Sequence, residues 1–232
     1  MNYNEFKKNF AKEYFKRVGT ELKNIMVEKP EGTLEGFTLG NPGDKVQTVL
    51  YFKDMYDRYN TTNSMDNLFN EIEDIMNKSL DISGNINFSI NDIIICMLNK
   101  NPNPKFLNDC PTGEFLGMKY YYRILLGDDE EGFRSACLTN RMTDALHYEV
   151  NSLFDAAIVN TKRLMRPMWM PLNKLCKDWF GTDLPGGDLN IPMYVITNEK
   201  LLFGASSIFY KDILDELYNK IGEYYLIPSS IH

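Results

Sequence analysis

"FLGMKYYYRILLGDDEEGFRSACL", Phe115 to Leu138, decides the fold class. Phe115 to Leu126 is crowded with aromatic and branched apolar residues and reads as a strand. Gly127 to Gly132 is an acidic turn bounded by glycines, and Phe133 to Leu138 is a second apolar run. So short a turn returns the second strand antiparallel, because parallel neighbours need a crossover of roughly a dozen residues or more.

The same pattern recurs on either side. Leu22 to Glu28 and Thr33 to Leu39 flank Lys29-Pro30-Glu31-Gly32, a proline–glycine turn, and Val46 to Phe52 reads as a third strand. Met193 to Thr197 and Ser206 to Phe209 bracket "NEKLLFGA" and read as another hairpin, and Tyr224 to Ile227 reads as a last strand. Helices fill the spaces between. Asn2 to Val18 repeats Phe6, Phe10, Tyr14 and Val18 every fourth residue and stops at Gly19. Ser64 can cap a helix whose apolar stripe is Met65, Leu68, Phe69, Ile72, Ile75 and Met76. Ile90 to Leu98, Thr143 to Leu164, Trp169 to Trp179 and Ile213 to Ile221 complete the helical reading, with loops at Asn101–Pro104 and Gly181–Asn190. Strands joined by short turns beside amphipathic helices predict an α+β fold with largely antiparallel sheets. One compact domain over 1–232 is the expected organisation, and lobes 1–102 and 105–232 are the alternative division.

Composition narrows the function. The chain has 232 residues, a net charge of −7, 44% hydrophobic and 13% aromatic residues, so a sizeable core is expected. Its lysines and arginines are scattered, which speaks against direct nucleic-acid binding, where a clustered positive face is needed. The densest cationic stretch is Lys162, Arg163 and Arg166. Cys96, Cys110, Cys137 and Cys176 lack Cys-x-x-Cys spacing, and His147 and His232 are the only histidines, so no structural metal is expected. Met1 to Lys8 lacks an apolar signal region, and no run approaches the ~20 apolar residues of a membrane span. The expectation is a soluble cytoplasmic protein with reduced thiols, no membrane association and no cofactor.

Catalytic constellations are sparse. No P-loop, dinucleotide fingerprint, His-Glu-x-x-His or Gly-x-Ser-x-Gly pattern occurs. Asp54 with Asp57, and Asp183 with Asp188 around Gly186-Gly187, are paired carboxylates that read as surface groups more than as a metal loop. Cys137 with His147 could form a thiolate pair. Ser229 or Ser230 with His232, in "YYLIPSSIH", places a nucleophile two or three residues from a base, with no carboxylate to orient the ring. A hydrolase using Ser230 or Cys137 is the weakest of the readings weighed.

Several stretches together resemble one uncharacterised family of bacterial proteins found in gut Gram-positive bacteria and their mobile elements. They are "TVLYFKDMYDRY" from Thr48, "SMDNLFNEIEDI" from Ser64, "CPTGEFLGMKYYYRI" from Cys110, "LFDAAIVNTKRLMRP" from Leu153, "MYVITNEKLLFGASSIFYKDIL" from Met193 and the closing "IPSSIH". Where the family carries an acid after its Pro-x-x-Phe-Leu segment, this chain has Gly117 and Met118. The resemblance implies architecture and context and supplies no activity.

Two functional expectations follow. The first is a non-catalytic binding protein of phage or mobile-element type, not an enzyme, that acts on a host protein such as a defence component. The second is a small-ligand or nucleotide-binding domain whose polar contacts are Asn160, Thr161, Arg163, Ser229, Ser230 and His232.

Overall fold

A computed structural model describes residues 1–39, 48–83, 89–99, 101–129, 132–182 and 192–227. The chain divides into two compact units, Met1–Asn87 and Phe88–His232. The fold is α+β, and every strand pairing among the described residues is antiparallel.

In the first unit α1 (Tyr3–Val18) begins at a reciprocal cap. The Asn2 side chain accepts from the Glu5 amide at 3.0 Å, and the Glu5 carboxylate accepts from the Asn2 amide at 3.1 Å. Gly19 ends the helix at φ +77°. β1 (Asn24–Lys29), β2 (Gly32–Leu39) and β3 (Thr48–Tyr51) form a sheet in that order. α2 (Phe52–Thr62) starts directly from β3, and α3 (Met65–Ser83) follows. α2 is absent from the sequence reading, although Phe52, Met55, Tyr56 and Tyr59 already carry helical spacing. Its strand-like aromatics masked that period. Phe6, Phe10, Phe37, Phe52, Leu68, Phe69 and Ile72 fuse helices and sheet into one core.

Gly36 fixes the approach of β2 to β3. A Cβ there would lie 2.5 Å from the Leu50 carbonyl oxygen, a backbone atom that cannot swing aside. Gly36→Ala is expected to destabilise the first unit by about 1–3 kcal/mol, as overpacking does. Urea unfolding followed by circular dichroism would show a lower midpoint, and an unchanged midpoint would refute the steric argument.

The second unit is built on β6 (Met118–Asp129). One edge of β6 pairs with β4 (Ile93–Met97). The other pairs with β5 (Thr112–Phe115) over its first half and with β7 (Gly132–Cys137) over its second. β5 and β7 therefore lie end to end along that edge.

Two expectations are corrected at this sheet. Phe115 to Leu126 is not one strand, because Leu116 and Gly117 turn back on themselves at φ +51° and +74°. Positive φ at both central residues is the two-residue hairpin geometry that matches strand twist. Ile90 to Leu98 is not a helix but a short 3-10 turn (Ile90–Asp92) followed by β4, buried on both faces. A continuous run of isoleucines has no period, so burial on both sides decides in favour of a strand.

α4 (Pro104–Asp109) lies between β4 and β5 and is capped by Asn103. The expected helix over 143–164 is two: α5 (Asn140–Ala145) and α6 (Val150–Met165), parted by His147 at φ +54°. β8 (Pro167–Pro171) leads into α7 (Leu172–Phe180) and pairs with β9 (Tyr194–Asn198). Ser206 to Phe209 is therefore not the partner of β9. It lies in a 3-10 turn, Gly204–Phe209, before α8 (Lys211–Ile221). Buried side chains hold that turn: Ser207 donates to the Thr197 carbonyl at 2.6 Å, and Asn198 donates to the Leu202 carbonyl at 2.7 Å. Tyr224 to Ile227 forms no strand, and Tyr225 and Ile227 are exposed. One face of the β6 sheet packs Ile93, Ile95, Tyr122 and Ile124 on Leu153 and Ala157 of α6. Ile94, Cys96 and Tyr121 pack with Phe106, Cys110 and Met165 in a separate cluster.

Candidate functional site

α6 carries the three central candidates of the sequence reading, and the structure gives them different tasks. Asn160 is 5% exposed and donates to the carbonyls of Ile90, at 2.7 Å, and Ile93, at 3.1 Å. Thr161 is 1% exposed, and its hydroxyl accepts from the Ile95 amide at 2.9 Å. Both polar groups thus fasten α6 to the start of β4, where the backbone passes from a 3-10 turn into a strand. Buried carbonyls and amides need such partners. Arg163 is exposed and donates to the Asn91 carbonyl at 2.9 Å. Ser229, Ser230 and His232 lie outside the described residues, as do Asp183 and Asp188.

The solvent side of α6 is where binding chemistry collects. Ile158, Val159, Lys162 and Arg163 line one wall of an open groove of about 450 Å³. Phe209 and Tyr210, followed by Lys211 and Asp212 at the start of α8, line the other. The floor is mostly apolar, and Val159 is 66% exposed. Tyr210 is buried and donates to the Ile158 carbonyl at 2.9 Å, which fixes the α6–α8 spacing. Burial raises its phenol pKa above the ordinary value.

The cationic rim is held by weak surface pairs. Lys162 donates to Asp212 at 2.6 Å, and Lys211 pairs with Asp215. The hydrogen bond from Lys162 holds the Asp212 carboxyl below its ordinary pKa. A depressed carboxylate adds stability above its unfolded pKa and loses it as pH falls through the folded value. Both side chains are about half exposed, so this pair is worth under ~1 kcal/mol and yields readily to a competing anion.

The remaining candidates do not assemble. His147 is exposed in its left-handed turn, and the Cys137 sulfur lies against Cys110. Asp57 is on the surface of α2 and accepts from Lys53 at 2.9 Å. Among the described residues no group of three or more histidines, cysteines or acids could hold a metal, and no helix is long and apolar enough to cross a membrane. Sequence reasoning found α6 but missed the opposite wall. Tyr210 to Asp212 lie some fifty positions further on, and only the folded β8–β9 segment shows that they return to α6.

A family model described as a family of unknown function (DUF5688) matches residues 3–232, so the chain belongs to that family. No curated protein and no solved structure matches it.

Proposed function

We propose that this family member acts by binding, and that the α6–α8 groove takes a segment of a partner protein. The observation that carries the reading is an apolar floor around the exposed Val159, rimmed by Lys162, Arg163 and Lys211. An apolar side chain next to a carboxylate fits that pattern. The apolar group covers Val159 and Phe209, and the carboxylate displaces Asp212 from Lys162. The open shape favours a protein segment over an enclosed metabolite, and a small anionic ligand on the same cations is the second reading. That the partner is a host protein met by a phage or other mobile element is part of the proposal and rests on the resemblance alone.

Val159→Glu and Lys162→Glu alter the groove at exposed positions, where substitutions cost little stability. Each is expected to weaken capture of the partner from host lysate at least tenfold, roughly the effect of losing a central contact. Equal recovery by wild type and both variants would remove the groove from the interface. Native mass spectrometry of the purified chain separates the second reading, which requires a co-purifying small anion.

A further inference from the structure

The end-to-end arrangement of β5 and β7 brings two cysteines together. β5 enters beside Tyr121, and β7 leaves beside Arg123, so Cys110, just before β5, meets Cys137, the last residue of β7. Their sulfurs are 3.2 Å apart, about 1 Å from bonding distance. Cys110 is 4% exposed, whereas Cys137 is only partly buried.

Arg123 supplies a cation at this junction. It sits opposite Cys137 on the neighbouring strand and donates to the Ser135 hydroxyl and carbonyl, both at 2.9 Å. Its guanidinium lies 5.1 Å from the Phe203 ring centre. Among the described residues no carboxylate pairs with it. By its register opposite Cys137, this guanidinium supplies positive charge on the strand next to that residue's sulfur. The hydrogen bond to the Cys137 sulfur, then burial, raise the Cys110 pKa above its ordinary value.

We propose that Cys137 and Cys110 are an attacking and resolving thiol pair that reacts with low-molecular-weight disulfides. The Cys137 thiolate attacks one sulfur of the small disulfide, forming a mixed disulfide and expelling the first small thiolate. Cys110 then loses its proton and attacks the Cys137 sulfur, which forms the Cys110–Cys137 bond and expels the second. One small disulfide is reduced to two small thiols, which take the protons of both cysteines, and the protein dithiol is oxidised. The product staples the end of β7 to the segment that opens β5.

The test uses the full chain incubated with oxidised glutathione, then alkylated and mapped by mass spectrometry. Wild type is expected to lose two hydrogens in a single Cys110–Cys137 linked peptide, with fully buried Cys96 still reduced. Cys110→Ser is expected to stop with one glutathione on Cys137, and Cys137→Ser to leave Cys110 reduced. The peptide map of the wild type is decisive even if a variant fails to fold. A wild type that keeps both thiols, accumulates the mixed disulfide without closing, or links only through Cys176 would overturn the proposal.

Discussion

Asn160→Leu is expected to destabilise the second unit by about 2–4 kcal/mol. Leucine has nearly the same shape but no donor. The Ile90 and Ile93 carbonyls would lose the amide that bonds them, at a site only 5% exposed. Each buried acceptor left unpaired costs about 1–3 kcal/mol. Asn160→Asp should be worse, because it turns a carboxylate toward two carbonyl oxygens. Thr161→Val, which strands the Ile95 amide, should cost about 1–3 kcal/mol. Urea unfolding of the three variants checks this. Wild-type stability in Asn160→Leu, with altered binding only, would return Asn160 to the role of ligand contact.

Phe10→Ala is the largest expected loss in the first unit, about 3–5 kcal/mol. Phe10 is fully buried and stacks on Phe69 with ring centres 4.9 Å apart. It also meets Phe37 at 5.2 Å, Phe6 at 5.7 Å and Phe52 at 6.0 Å. Truncation opens a cavity where α1, α2, α3 and the sheet converge, and four rings cannot all move into it. Against the 5–15 kcal/mol that a domain usually has, that is a fifth or more of the unit's stability. Proteolysis within residues 1–83 during mild warming would report it. A variant as protease-resistant as wild type would show that the rings repack.

The same residues show what a sequence can and cannot disclose. Phe6, Phe10 and Tyr14 announced α1 because one helix face is buried and the other is wet, so the period is written in the residues. β4 has no wet face, and five buried residues in a row carry no period to read. The Leu116–Gly117 turn was lost inside an apolar run because only its glycine hints at positive φ. The expected β9 partner was misplaced for a different reason. β8 runs from Pro167 to Pro171, and its second half falls within the helix expected from Trp169, because prolines at both ends hide a strand.

The candidate site was legible in part. The polar run on α6 was visible, but its division into an inward pair, Asn160 and Thr161, and outward cations, Lys162 and Arg163, depends on which face meets β4. The opposite wall required the tertiary path to α8. The thiol pair was invisible for the same reason: residues 110 and 137 meet because two short strands share one edge of β6.

The most direct test places a photo-crosslinking residue at Val159 in the full chain and, as a control, at exposed Asp178 on α7. Both proteins are irradiated in host cells, and the adducts are identified by mass spectrometry. One protein joined through position 159 and absent at position 178 is the expected result, with the adduct lost when Lys162→Glu is added. No adduct at 159, or the same adducts at both positions, would contradict a binding role for the α6–α8 groove.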